Sequence, residues 1–81
     1  MKLENRIAIV TGGGGGLGEG ICLCLAREGA HVVVCDTNLD LAKQVATKIE
    51  TLGQKSYASQ IDVRKSDQCE QLIKKTIEIM G

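Results

Sequence analysis

The chain has 81 residues, enough for one small domain, and its ten basic and ten acidic side chains leave a net charge of zero. A balanced charge without a basic block removes the electrostatic basis for binding nucleic acid or an anionic membrane surface. The sequence opens Met1-Lys2-Leu3-Glu4 and has no apolar run of about 18 residues, so we expect neither a signal peptide nor a membrane span, and hence a cytoplasmic protein.

The first two elements are predicted on either side of a glycine run. Residues 6–11 form a continuous apolar stretch, which suits a parallel strand covered on both faces. A helix is predicted from Gly16 to Glu28, with Gly29 as the residue that ends it. The apolar positions of this helix fall on one stripe, the face expected to be buried, and they are Leu17, Ile21, Cys24 and Leu25.

Four further elements follow with short connections. His31–Cys35 is rich in β-branched residues and predicts a second strand. Asn38 can cap a second helix that ends at Gly53. Residues 56–61 predict a third strand, whose mixed polarity suggests the edge of the sheet, and Ser66 can cap a third helix.

The predicted order is therefore β-α-β-α-β-α. Strands that alternate with helices predict an α/β fold with a parallel sheet and right-handed crossovers, a Rossmann-like arrangement of three layers. None of the four cysteines forms a C-x-x-C pair, so no metal site is predicted and the cysteines are expected to be small buried apolar residues.

The glycine run joins the first strand to the first helix, in the segment Thr11-Gly-Gly-Gly-Gly-Gly-Leu-Gly18. The N–H groups at the start of a helix, together with the helix dipole, suit a pyrophosphate that must approach the backbone closely. The Walker spacing G-x-x-x-x-G also fits, from Gly13 to Gly18. However, Glu19 stands where that motif requires a phosphate-binding lysine, which excludes a kinase-type NTPase.

Three glycine patterns remain open on the glycines alone. They are G-x-G-x-x-G, T-G-x-x-x-G-x-G, and the G-x-G-x-G loop of adenosylmethionine-dependent methyltransferases. Thr11 weakly disfavours the last of these, because methyltransferase loops usually follow an acidic residue.

Asp36 directly follows the second strand, 20 residues after Gly16. A carboxylate at this point can accept hydrogen bonds from the 2′- and 3′-hydroxyls of an adenosine ribose. It would repel a 2′-phosphate, and the next residue, Thr37, is not basic, so NAD is favoured over NADP. After the third strand, Asp62 can accept from an adenine amino group while the main chain of Val63 lines the base pocket.

The T-G-x-x-x-G-x-G loop, Asp36 and the Asp62-Val63 pair together resemble the short-chain dehydrogenase/reductase family. The likeness extends to Arg6–Gly12 and Leu25–Ala30. The resemblance implies that Gly12, Gly16 and Gly18 shape the turn while Gly14 and Gly15 face the pyrophosphate. The implied cofactor-binding residues are Gly12, Gly14, Gly15, Gly16, Leu17, Gly18, Asp36, Asp62 and Val63.

The resemblance further implies an NAD(P)-dependent oxidoreductase that transfers hydride between nicotinamide and an alcohol or carbonyl substrate. Residues 1–81 would then be the N-terminal part of an incomplete dinucleotide-binding domain. The family's catalytic serine and Tyr-x-x-x-Lys motif have no counterpart here, because Ile61 stands four residues after Tyr57. We therefore expect the chain alone to bind cofactor without catalysing the reaction.

The resemblance implies a fourth strand beside the first, and without it the first strand would have an unpaired apolar edge. We expect that edge to pair with the rest of the enzyme or with a second copy of the chain. Two other functions stay open at this point: part of an adenosylmethionine-dependent methyltransferase, and a non-catalytic nucleotide-binding module.

Overall fold

The computed structural model describes residues 3–12, 14–61 and 65–80, without the side chains of residues 66, 69, 77, 79 and 80. Strands and helices alternate along the chain. In order they are β1 (Ile7–Thr11), α1 (Gly16–Arg27), β2 (His31–Asp36), α2 (Leu39–Thr51), β3 (Ser56–Gln60) and α3 (Ser66–Met80). These bounds agree with the predicted ones to within two residues.

The three strands form one parallel sheet in the order β1-β2-β3. The predicted Rossmann-like α/β fold is thus confirmed, and so is the position of β3 at an edge. β2 lies in the centre, and four of its six residues, Val32 to Cys35, are fully buried. Its β-branched residues suit a strand that is covered on both faces.

The larger core lies between the sheet and helices α1 and α2. Helix α2 buries Ala42, Val45 and Ile49 against Val32 and Val34 of β2. Asn38 caps α2 as predicted, because its Oδ1 accepts a hydrogen bond from the Leu41 N–H at 3.2 Å. An N-cap oxygen of this kind contributes about 1 kcal/mol to stability.

A smaller core lies on the opposite face of the sheet, under α3. Leu72 packs there with Val33, Cys35 and Ile61. The Tyr57 hydroxyl bonds to Oγ1 of Thr76, at 2.7 Å. Tyr57 therefore fastens α3 to β3.

The predicted buried stripe of α1 is wrong. The residues of α1 that are buried are Cys22 and Ala26, whereas Leu17 is 82% exposed and Ile21 is 45% exposed. Cys24 is also exposed, so the expectation of buried cysteines fails there. Small side chains face the sheet because they let the helix backbone approach it closely, which leaves the larger ones on the outer face.

The prediction that β1 is covered on both faces is also wrong. Ile9 pairs with Val33 across the sheet, so both point to the face under α3. Ile7 and Ile9 remain 39% and 40% exposed there. The physical reason is the position of β1 at an edge, where α3 packs over β2 and β3 instead.

His31 opens β2 and makes a structural contact. Its Nδ1 accepts a hydrogen bond from the Lys55 N–H at 3.0 Å, which joins the start of β2 to the start of β3. Within the described ranges, no helix is long and apolar enough to cross a membrane.

We predict that Cys24 reacts with a thiol reagent in the folded protein while Cys22 does not. Cys24 is exposed, whereas Cys22 has no exposed surface. Burial also raises the pKa of the Cys22 thiol, which lowers the fraction of the reactive thiolate. Iodoacetamide labelling followed by peptide mass spectrometry measures both sites, with urea-unfolded protein as the control. Rapid labelling of Cys22 under native conditions would contradict the packing of α1.

Candidate functional site

The carboxyl ends of the three strands lie along one edge of the sheet. Thr11 ends β1, Asp36 ends β2, and Gln60 ends β3, in neighbouring register. The Ile61 N–H donates to the Asp36 carbonyl oxygen at 3.2 Å, so the chain leaves β3 directly beside Asp36. In open parallel sheets, this edge is where ligands bind.

The glycine loop runs along this edge from β1 into α1. Gly12 has a φ of +68°, a left-handed conformation that favours glycine and turns the chain away from the strand. The Gly15 N–H donates to the Gly12 carbonyl oxygen at 3.4 Å, which closes the turn. Gly15 is the N-cap of α1, and without a side chain it offers no cap to the first-turn N–H groups of the helix.

The loop glycines differ in what surrounds them. A methyl group added at Gly16 would meet no protein atom within 4 Å, and one at Gly15 would make only an ordinary contact. Protein packing therefore does not require glycine at either position. A ligand that lies against the backbone would require it, since a side chain would hold that ligand away from the N–H groups of α1.

Gly14 is tightly enclosed. A methyl group there would lie 2.8 Å from Cβ of Leu41, 3.0 Å from Oδ2 of Asp36 and 3.2 Å from the backbone nitrogen of Ala42. Gly14 thus packs directly against the first turn of α2.

The Asp36 carboxylate joins the loop to α2. Its Oδ2 accepts a hydrogen bond from the Gly14 N–H at 3.1 Å, and its Oδ1 accepts one from the Asn38 N–H at 2.9 Å. Hydrogen bonds to an ionised acceptor are stronger than neutral ones, so both contacts restrict the orientation of the carboxylate. Each oxygen keeps a second lone pair with which it can accept from a ligand.

An open groove of about 390 Å³ lies beside Asp36, between the ends of β2 and β3. Its lining residues are Thr37, Asn38, Leu39, Asp40 and Gln60. Nε2 of Gln60 donates to the Thr37 carbonyl oxygen at 3.0 Å, which holds the two sides of the groove together. Asp40 contributes a negative charge to its wall.

The structure brings most of the predicted site residues together at this edge. Gly12 and Gly14 to Gly18 form the loop and the first turn of α1, and Asp36 stands opposite them. The side chain of Leu17 points into solvent. Asp62 and Val63 lie outside the described residues, next to the described Ile61.

Several residues of the site are not predicted as such: Asn38, Leu41 and Gln60, and also Thr37, Leu39 and Asp40 of the groove. Asn38 was assigned only as a helix cap, yet its backbone N–H also holds Asp36. The signal for Asn38 was its place two residues after Asp36, where a carboxylate can accept from the backbone in a local turn. The sequence carries no signal for the approach of Leu41 to Gly14.

Other chemistry-bearing groups lie away from this edge. Tyr57 packs under α3 with Thr76, and Nζ of Lys75 lies 5.8 Å from the centre of its ring. Lys48 of α2 forms an ion pair with Glu19 of α1, which links the two helices. Among the residues that the structure describes, no group of histidine, cysteine or acidic side chains is placed to hold a metal ion.

Comparison with known proteins gives a consistent match. A family model described as short chain dehydrogenase matches residues 6–81. A short chain dehydrogenase/reductase, astE, of Aspergillus oryzae is 38% identical over 82 residues, which cover 100% of this chain and 31% of the relative.

Two solved structures share the fold closely. A 7α-hydroxysteroid dehydrogenase complexed with NADH and 7-oxo glycochenodeoxycholic acid has a TM-score of 0.93 and 35% identity, over 99% of this chain and 31% of that one. A structure described as a D-mannonate oxidoreductase from Haemophilus influenza with bound NAD has a TM-score of 0.93 and 29% identity, over 99% of this chain and 29% of that one. The chain spans about a third of the length of the curated relatives it matches.

Proposed function

The chain belongs to the short chain dehydrogenase family, and on that premise we propose that its glycine loop, Asp36 and the groove beside Asp36 bind the adenosine diphosphate half of NAD. The observation that carries the proposal is the position of the Asp36 carboxylate, fixed by backbone N–H groups directly opposite the loop. The loop would receive the pyrophosphate, Asp36 the ribose, and the groove the adenine.

The space around Gly15 and Gly16 supports the pyrophosphate assignment. The first-turn N–H groups of α1 have no partner within their own helix, and Gly15 supplies no side-chain cap. An anion can therefore approach them directly, and the helix dipole adds to the attraction. Gly16 leaves room for that approach, because an added methyl would meet only open space.

The charges around Asp36 support NAD over NADP. A ribose hydroxyl can donate to the carboxylate, whereas a 2′-phosphate would meet its negative charge and that of Asp40 on the groove wall. Thr37, the residue after Asp36, brings no compensating positive charge. The two similar solved structures, one described with NADH and one with NAD, are consistent with a nicotinamide dinucleotide.

The groove between Thr37 and Gln60 suits the adenine ring. The groove lies next to Asp36, where the base attached to the ribose would extend. The chain leaves β3 at Ile61, beside Asp36. Asp62 and Val63 follow at once, and we propose that they complete this pocket, with the Asp62 carboxylate accepting from the adenine amino group.

At the level of the whole protein, we propose an oxidoreductase that acts on an alcohol or carbonyl substrate. Bound NAD supplies hydride transfer at its nicotinamide ring. The residues of this chain hold the other half of the cofactor and so orient the nicotinamide. We assign the described residues at the strand ends to cofactor binding and give none of them an acid-base role.

We predict that the purified protein binds NADH more tightly than NADPH and does not bind adenosylmethionine. Replacing Asp36 with Asn should weaken NADH binding about tenfold, because charged hydrogen bonds to the ribose become neutral ones. NADPH binding should strengthen in the same variant, since the repulsion is removed. Isothermal titration calorimetry measures all three ligands.

The matched control for this variant is Glu50→Gln, which removes the same charge in the last turn of α2. It should leave both affinities unchanged. Equal affinities for NADH and NADPH in the unaltered protein, or an Asp36→Asn variant with the preference intact, would contradict the proposal. Binding of adenosylmethionine alone would favour the methyltransferase alternative.

We also propose that the open edge of β1 is covered in the working protein, by further chain or by a second copy. Ile7 and Ile9 on β1 are partly exposed, and the outer face of α1 presents Leu17 and Ile21. An uncovered apolar strand edge favours association.

For the 81-residue chain by itself, we predict concentration-dependent association at micromolar concentrations. Sedimentation velocity over a range of concentrations measures it. An Ile9→Lys variant should shift the distribution towards monomer, because a charged residue on an edge strand opposes pairing. A folded monomer at all concentrations would contradict this part of the proposal.

A further inference from the structure

We propose that Gly14 is a positioning residue that sets the preference between NAD and NADP, by holding the Asp36 carboxylate through its backbone N–H. The inference rests on the proposed cofactor function and assigns Gly14 a role other than contact with the pyrophosphate. Its basis is the close packing of the glycine loop on the first turn of α2.

The first observation is steric. Gly14 fits between Asp36 and α2 only because it has no side chain, since an added methyl would lie 2.8 Å from Cβ of Leu41. Cβ of Leu41 is attached directly to the helix backbone and cannot rotate away. Any side chain at position 14 must therefore displace the loop, the first turn of α2 or the Asp36 carboxylate.

The second observation is the hydrogen bonding of the carboxylate. The Gly14 N–H holds Oδ2 at 3.1 Å, and the Asn38 N–H holds Oδ1 at 2.9 Å. One contact comes from the loop and the other from the start of α2. Asp36 is thereby fixed from two sides, and its orientation depends on the distance between the loop and the helix.

These two hydrogen bonds affect the binding of both NAD and NADP. A carboxylate held in one orientation is ready to accept from the ribose hydroxyls without reorganising. The same carboxylate already uses the N–H groups of Gly14 and Asn38, which a 2′-phosphate would otherwise draw on. Moving the carboxylate should therefore weaken NADH binding much more than NADPH binding, which reduces the preference for NADH.

The test compares Gly14→Ala with Gly20→Ala in the purified protein. Gly20 lies within α1, and a methyl group there would meet no protein atom within 4 Å. We expect Gly14→Ala to weaken NADH binding about tenfold while NADPH binding changes less than about twofold, as the loss of one charged hydrogen bond implies. Gly20→Ala should leave the ratio of the two dissociation constants unchanged.

A second variant covers the case in which Gly14→Ala folds poorly. The pair Gly14→Ala/Leu41→Gly removes the nearest of the three atoms that the new methyl would meet and leaves the two at 3.0 and 3.2 Å. We therefore expect it to fold and to regain part of the NADH preference. Circular dichroism confirms folding, and calorimetry gives the ratio.

The outcomes separate the inference from the function it rests on. Unaltered protein that binds neither dinucleotide would overturn the cofactor proposal itself. Unaltered protein that prefers NADH, with a folded Gly14→Ala variant of unchanged ratio, would overturn only the role of Gly14. A folded double variant that binds no better than Gly14→Ala would overturn it as well.

Discussion

The contact on which the site depends is the pair of hydrogen bonds that the Asp36 carboxylate accepts from the N–H groups of Gly14 and Asn38. It joins three parts of the chain: the loop after β1, the end of β2 and the start of α2. The Asp36 side chain thereby holds the glycine loop and the start of α2 together. The rest of the fold keeps these three parts together. The parallel sheet brings the ends of β1 and β2 to the same edge, and the larger core holds α2 in place.

The glycine run illustrates what sequence reasoning can and cannot separate. Read as letters, its five successive glycines satisfy several motifs at once. In the structure they differ. Gly12 has a left-handed conformation, Gly14 lies where no side chain fits, and Gly16 faces open space. Membership of the short chain dehydrogenase family selects the T-G-x-x-x-G-x-G pattern and argues against the methyltransferase alternative.

The order and bounds of the elements could be predicted because their signals are local. Asn38 caps α2, glycines follow the first two helices, and β-branched residues fill β2. The burial of α1 could not be predicted in the same way. Its stripe of large apolar residues indicates amphipathicity, but the face that meets the sheet is decided by how closely the helix approaches, and here Cys22 and Ala26 allow the closer approach.

The contacts of the site between residues far apart in the chain could not be predicted from the sequence either. Asp36 was predicted from its spacing after the loop, which is a property of the motif. Its contact with Gly14 spans 22 positions of the chain, and the approach of Leu41 to the loop depends on how α2 packs. Neither leaves a periodic or compositional trace.

A crystal structure of the protein with NADH tests the central claim most directly, because it shows the ribose, Asp36 and the glycine loop together. We predict both ribose hydroxyls within hydrogen-bonding distance of the Asp36 carboxylate, with the Gly14 and Asn38 N–H groups still donating to it. A ribose bound away from Asp36, or a carboxylate that has left Gly14 to reach the ribose, would contradict it.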